Sequence, residues 1–140
     1  MEKIIIHTDG GARGNPGPAG IGVVIADVNG APLKKIAEYI GEHTNNFAEY
    51  EALIRALESV RDMFGDKIHD MQVTVYMDSE LVVRQLTGAY RVKDPDLKLQ
   101  FARVGQLAGT LKHISYNHVY REKNAHADEL VNEAIDKALK

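Results

Sequence analysis

The sequence contains no cysteine and no tryptophan. Without cysteine, a disulfide framework, a thiolate zinc site and a thiol nucleophile are all excluded. The chain also lacks a run of roughly 18 apolar residues that could span a membrane. Its N-terminus turns polar at His7 and has no long apolar core of the kind found in a signal peptide. We therefore expect a soluble, cytoplasmic protein with no membrane partner.

An excess of positive charge is also lacking, since 17 Lys and Arg stand against 20 Asp and Glu and the net charge is −3. Affinity for a phosphate backbone usually comes from Lys and Arg. Their distribution is uneven, however, because the segment from Arg84 to Arg121 holds seven basic residues and two acids. Divalent cations bound at an acidic site would add positive charge. The acidic total therefore argues only weakly against a nucleic-acid substrate.

The length of the chain and its hydrophobic periodicity together predict one α/β domain, residues 1–140, and we expect a monomer. The element order is β-β-β-α-β-α-α-β-α, which predicts a mixed five-stranded sheet of three antiparallel and then two parallel strands, with helices on both faces. The dipeptide Asn29-Gly30 predicts a two-residue hairpin turn between the second and third strands. The predicted strands are 3–8, 21–28, 32–40, 72–77 and 113–120, and the predicted helices begin at or just after Asn46, Ser79, Asp94 and Asn124.

Two of these helices have apolar stripes that we expect to face the core. The stripe of the third helix comprises Leu97, Phe101, Val104, Leu107 and Leu111. The stripe of the last helix comprises Leu130, Val131, Ala134, Ile135 and Leu139. Ser79, Asp94 and Asn124 are residue types that favour the N-cap position of the helices they precede.

Four acids occupy positions where such a fold builds sites. Asp9 and Asp78 are predicted to end neighbouring strands, and Glu49 and Asp128 to lie in the first turns of helices. Each acid alone is more often a structural or solvated residue. If they converge, they would raise one another's pKa unless a cation were bound. Oxygen ligands without cysteine favour Mg²⁺ or Mn²⁺ over Zn²⁺, and two such ions about 4 Å apart can support phosphodiester hydrolysis.

Several ordered motifs extend along nearly the whole chain. They are Thr8-Asp9-Gly10-Gly11, Gly14-Asn15-Pro16-Gly17, Thr44-Asn45-Asn46-Phe47-Ala48-Glu49-Tyr50, Met77-Asp78-Ser79-Glu80-Leu81-Val82 and Arg121-Glu122-Lys123-Asn124-Ala125-His126-Ala127-Asp128. Together these motifs resemble those of the type 1 ribonuclease H family. The resemblance implies that Asp9, Glu49, Asp78 and Asp128 bind two Mg²⁺ ions. It also implies hydrolysis of the RNA strand of RNA/DNA hybrids to 5′-phosphate and 3′-hydroxyl ends.

Substrate contacts are expected from polar side chains and glycine backbone. Recognition of RNA requires hydrogen bonds to the 2′-hydroxyl, which Asn15, Asn45 and Asn46 can make. The alternative is that Asn15 is a turn residue before proline and that Asn45 or Asn46 caps a helix. The other expected substrate contacts are Gly10 and Gly11 through the backbone, Thr44, Arg91 and Lys93 to phosphate, and Asn124.

The sequence departs from the best-known family pattern in two places. Many members have a mobile histidine in a longer loop before the last acid, whereas this chain has Arg121 seven residues before Asp128, as in shorter members. An arginine cannot act as a base at neutral pH, so its expected role is to hold phosphate or stabilise charge. The nearby His126 is more often a surface residue than a catalyst. Without tryptophan, the chain also lacks the basic, tryptophan-containing handle of some members.

Two other functions are compatible with the same fold. One is a module that binds hybrids without cutting them, although all four acids are present. The other is a metal nuclease that acts on DNA, which the asparagines suited to 2′-hydroxyls disfavour. Parallel assays on hybrid and all-DNA substrates distinguish these functions.

Overall fold

The computed structural model describes residues 2–140. Five strands form one mixed sheet in the order β3-β2-β1-β4-β5. Strand β2 pairs antiparallel with β1 and β3, whereas β4 pairs parallel with β1 and β5. This topology confirms the predicted sheet. The strands are β1 (Lys3–Ala12), β2 (Gly17–Asp27), β3 (Pro32–His43), β4 (Gln72–Met77) and β5 (His113–His118).

Four helices accompany the sheet, and two short 3₁₀ turns that sequence periodicity did not predict lie at 65–70 and 121–124. Within residues 2–140, no helix combines the length and the apolar character needed to cross a membrane. The helices are α1 (Asn45–Phe64), α2 (Glu80–Leu86), α3 (Pro95–Ala108) and α4 (Ala125–Ala138).

The main core lies between α1 and one face of the sheet. Ile6, Val75 and Tyr50, from β1, β4 and α1, are fully buried there. Each fully buried aliphatic side chain of this kind contributes about 1.5–3 kcal/mol. The core therefore fixes α1 against β1, which is the contact that later places two of the acids.

Helix α4 packs on β1, β2 and β3 at the opposite face, so helices cover both faces of the sheet as predicted. It approaches β2 closely, because a Cβ atom added at Gly22 would lie 2.1 Å from the carbonyl oxygen of Ala127. Gly20 faces α4 as well, with the Ile135 side chain 3.0 Å from an added Cβ. Glycine in β2 thus sets the distance of α4, and hence of Asp128, from the sheet.

The predicted end of β1 at Thr8 is wrong. The strand continues through Asp9 to Ala12, because residues 9–12 pair with residues 19–22 of β2. Glycines usually weaken a strand, but here they allow a helix backbone to pack directly on β1. Asp9 therefore lies inside the strand and not at its end.

Several other boundaries also differ from the prediction. The β2–β3 connection covers residues 28–31, because Asp27 accepts hydrogen bonds from the backbone of Asn29 and Ala31. Strand β3 extends to His43 through a bulge, and β5 ends at His118. Glu49 was expected in the first turn of α1, but the helix begins at Asn45, so Glu49 lies beyond that turn.

For two residues of the apolar stripes, the prediction that they face the core is wrong. Phe101 is 39% exposed, while the adjacent Gln100 is buried and donates a hydrogen bond to the carbonyl oxygen of Phe47 over 3.0 Å. Leu139 is 54% exposed because α4 ends before it. The stripe periodicity identified both helices, but a specific polar contact displaced the aromatic ring from the core.

Candidate active site

Three of the four predicted acids converge at one edge of the sheet. One carboxylate oxygen from each of Asp9, Glu49 and Asp78 lies within 4.8 Å of the others. The strand register brings Asp9 and Asp78 together, because each directly follows one member of the last pair between the parallel strands β1 and β4, Thr8 and Met77. Glu49 joins them from α1, because that helix packs on β1.

Glu49 is held by the strand it faces. The backbone N–H of Gly10 donates a hydrogen bond to Glu49 Oε1. A Cβ atom on Gly10 would lie 2.1 Å from the carbonyl oxygen of Ala48, so only glycine permits this approach. Glu49 Oε2 is buried and has no hydrogen-bond partner among residues 2–140. The carboxylate is thus anchored through one oxygen and leaves the other open to a ligand.

Burial and mutual repulsion disturb the ionisation of this pair. Burial raises the pKa of Asp9, and the neighbouring charge of Glu49 raises it further. Burial also raises the pKa of Glu49, although its contacts with Asp9 and Gly10 and the charge of Arg121 oppose that shift. An ionised pair in this position is unfavourable without a compensating cation.

Asp128 and Arg121 border the same pocket of about 390 Å³. Asp128 lies in the first turn of α4, as predicted, and after burial and the nearby acids it adds to the raised pKa of Asp9. It is outside the group of three tightly clustered acids in the described chain. Arg121 begins the 3₁₀ turn at 121–124, and its charge lowers the pKa of Glu49. Asp9 is therefore the acid that lies between the cluster with Glu49 and Asp78 and the side chain of Asp128.

The donor set fits a hard divalent cation. It consists of carboxylate oxygens, with no thiol in the chain, and this chemistry suits Mg²⁺ or Mn²⁺. Such an ion would give the buried, unpartnered oxygen of Glu49 a partner. Its positive charge would also favour the ionised forms of Asp9 and Glu49, whose pKa values are raised without it.

The predicted asparagines form a small network beside the acids. Asn45 Oδ1 accepts a hydrogen bond from the backbone of Ala12 over 2.8 Å, and Asn15 Oδ1 accepts one from the backbone of Asn45 over 3.0 Å. Thr44 is the N-cap of α1, so neither Asn45 nor Asn46 caps it. These bonds use the amide oxygens of Asn15 and Asn45, and within residues 2–140 their side-chain N–H groups make no hydrogen bond. Asn45 and Asn46 line the pocket.

Other predicted contacts lie apart from this pocket. Arg91 and Lys93 are exposed in the connection between α2 and α3, and Thr44 uses its hydroxyl oxygen as the cap of α1. Asn124 is only 2% exposed and donates to the carbonyl oxygen of Thr8, so the structure contradicts a direct substrate contact. It occupies the N-cap position of α4, but its side chain makes no capping bond.

Comparisons with known proteins agree with this geometry. A family model described as reverse transcriptase-like matches residues 7–134. The solved LC11-RNase H1, isolated from compost by a metagenomic approach, is 63% identical, with a TM-score of 0.94 and all of both chains covered. A second structure of that protein, in complex with an RNA/DNA hybrid, is 62% identical, has a TM-score of 0.94 and covers 98% of this chain and 99% of its own.

The chain belongs to the type 1 ribonuclease H family. A curated ribonuclease HI from Halobacterium salinarum is 42% identical over 97% of this chain and 66% of its own length. A bifunctional protein of Mycobacterium tuberculosis is 42% identical over 97% of this chain and 36% of its own length. The chain therefore spans about a third to two thirds of the length of these two curated relatives.

Arg13 and Asn132 are among the residues that line the pocket of this family member without having been predicted as site residues. Asn132 donates a hydrogen bond to the carbonyl oxygen of Asp128 over 3.1 Å, and Arg13 forms an ion pair with Asp136 over 2.7 Å. Asn132 could have been found from its spacing, because residues four apart share a helix face. Arg13 carried no comparable signal.

The raised pKa values predict an unusual pH dependence of stability. Without metal, folding retains protons on Asp9 and Glu49 that the unfolded chain releases above about pH 4. The free energy of unfolding should therefore fall as pH rises, by at most about 1.4 kcal/mol per pH unit for each retained proton.

Urea unfolding of EDTA-treated protein between about pH 5 and about pH 7 measures this slope. The Asp9→Asn variant serves as the control, because it removes one of the opposing charges and should show a smaller fall. Titration of His7, whose pKa is lowered by burial, is common to both proteins and cancels in the difference. Equal slopes in the two proteins would contradict the prediction.

Proposed function

We propose that residues 1–140 form one catalytic domain, a metal-dependent endoribonuclease that hydrolyses the RNA strand of RNA/DNA hybrids. The observation that carries this proposal is the buried Glu49, with an open oxygen, clustered with Asp9 and Asp78. The solved hybrid complex of a relative that is 62% identical supports the choice of substrate.

Asp9, Glu49, Asp78 and Asp128 would hold two Mg²⁺ ions, and Mn²⁺ fits the same oxygens. When bound, the ions supply activation of a water and stabilisation of the leaving oxygen, giving 5′-phosphate and 3′-hydroxyl ends. Glu49 and Asp128 both act on Asp9, so Asp9 would hold the metal between the two parts of the acidic site. The β1 backbone holds Asp9 in position.

Selection of RNA is assigned to the asparagine network next to the acids. The free N–H groups of Asn15 and Asn45 can donate to 2′-hydroxyl oxygens, and Asn46 lines the same pocket. Gly10 and Gly11 also line this pocket and could contact the nucleic acid through their backbone, although the space of a Cβ atom at Gly10 is already taken by α1. Thr44, Arg91 and Lys93 do not line the acidic pocket and remain predicted contacts to phosphate.

Arg121 is expected to stabilise negative charge at the phosphate. Its guanidinium cannot take a proton at neutral pH, so it acts as a fixed cation and donor. We expect Arg121→Ala to lower kcat by about 10²-fold, because removal of one such donor typically has this effect. Arg121→Lys should recover part of the loss, since lysine keeps the charge but not the planar donor geometry.

Lys123→Ala is the matched control for Arg121. Lys123 is an exposed cation in the same 3₁₀ turn and does not line the acidic pocket. Its removal should leave kcat near the wild-type value. If Arg121→Ala were as active as Lys123→Ala, the role assigned to Arg121 would be wrong.

The decisive experiment uses a strand-labelled RNA/DNA hybrid with Mg²⁺, with Mn²⁺ and with EDTA. The same sequence as all-DNA and all-RNA duplexes provides the controls. Metal-dependent cutting of only the RNA strand of the hybrid supports the chemistry and the 2′-hydroxyl recognition together. Binding without cutting under every metal would instead indicate a hybrid-binding module, and cutting of DNA would indicate a different nuclease.

A further inference from the structure

Asn124 is an interior amide at the joint between the 3₁₀ turn that carries Arg121 and the helix that carries Asp128. Its amide nitrogen donates a hydrogen bond to the carbonyl oxygen of Thr8 over 2.8 Å. Its amide oxygen is buried and has no partner among residues 2–140. Burial of an amide with incomplete hydrogen bonding costs free energy. Asn124 therefore costs folding free energy at this position, and stability alone does not explain its presence there.

The partner of this bond lies at a critical point of the sheet. Thr8 is the last residue of β1 that pairs with β4. Beyond it β1 continues to Asp9 with only β2 beside it, because β4 ends at Met77. Asn124 therefore holds β1 where the strand loses one neighbour, one residue before an acid of the site.

The bond joins β1 to the point where the 3₁₀ turn meets α4. Asn124 ends the 3₁₀ turn that begins at Arg121, and α4 starts with the next residue. Within residues 2–140, no other side-chain hydrogen bond connects this joint to β1. One amide thus relates Arg121 and Asp128 to Asp9.

We propose that Asn124 is a positioning residue that sets the distance of Asp128 and Arg121 from Asp9. This inference rests on the proposed hydrolysis of hybrids. Asn124 touches no substrate, because it is buried, and it acts only through the three groups that it holds in register. Loss of such a supporting contact typically lowers metal affinity or activity by about 10- to 100-fold.

Asn124→Leu and Asn124→Ala test this role. Leucine keeps most of the volume without a donor, and alanine leaves space if leucine fails to fold. Asn117→Leu and Asn117→Ala are matched controls, because Asn117 also donates its amide to a strand carbonyl, that of Val75, over 3.2 Å. Asn117 does not line the acidic pocket, and its loss should leave kcat unchanged.

We expect the Asn124 variants to lower kcat about 10- to 100-fold, with KM for the hybrid within about twofold of wild type. In the absence of substrate, the Mn²⁺ concentration at the midpoint of thermal stabilisation should rise, while the Asn117 variants match wild type. A kcat within about twofold of wild type, or equal losses in the Asn117 variants, would overturn the proposal. So would a raised KM with unchanged kcat, which would indicate a substrate contact.

The two proposals can fail separately. If wild type cleaves no hybrid, the proposed function is wrong, and the Mn²⁺ titration still tests the positioning role. An unchanged Mn²⁺ midpoint in both Asn124 variants would then reject that role. If wild type cleaves and the Asn124 variants cleave equally well, only the positioning role is wrong.

Discussion

Asp9→Asn and Asp78→Asn are each expected to lower kcat for hybrid cleavage by at least about 10³-fold, which is roughly 4 kcal/mol in the barrier. Each substitution removes one metal-ligand charge while keeping the shape of the side chain. The fold should survive, because asparagine nearly matches aspartate in shape and Asp9→Asn removes a repelling charge beside Glu49. Near-normal rates in either variant would show that the acids are not the site.

A matched control is available in α4. Glu129 is an exposed acid next to Asp128, but it does not line the pocket. Glu129→Gln changes the total charge by the same amount as Asp9→Asn and should leave kcat near wild type. Single-turnover cleavage at saturating Mg²⁺, together with circular dichroism, separates loss of chemistry from loss of structure. Equal losses in Glu129→Gln would point to a general charge effect.

Gly10→Ala is expected to cause the second large loss, in stability as well as in activity. The added Cβ would lie 2.1 Å from the carbonyl oxygen of Ala48, and that oxygen belongs to helix backbone that cannot rotate away. Helix α1 must therefore move from β1 and take Glu49 with it. We expect a loss of about 1–3 kcal/mol in the free energy of unfolding, as in other overpacked cores.

The adjacent glycine provides the control for Gly10. A Cβ atom on Gly11 would lie 3.8 Å from the Val131 side chain, which is an ordinary contact. Gly11→Ala should therefore change stability by less than Gly10→Ala, as measured by urea unfolding. If both variants were equally stable, the close packing of α1 on β1 would not be needed to place Glu49.

Much of the fold was predictable because its signals are local. The alternation and periodicity of apolar residues predicted the strands, the helices and both covered faces of the sheet. The predicted mixed sheet, with three antiparallel and then two parallel strands, followed from the order of the elements and their connections. The errors concern packing partners, as with Phe101, which is exposed, and Gln100, which is buried. Periodicity assigns a face to each position but cannot weigh a specific hydrogen bond against a ring.

The candidate site shows the same division. The sequence by itself determined which acids and asparagines are present, their order along the chain and the family to which they belong. Only the tertiary structure decided that Asp9 lies inside a strand, that Glu49 keeps one oxygen open, and that Asn124 points inward to Thr8. The physical reason is that these features depend on contacts between residues far apart in sequence, where β1 meets α1, β4 and α4.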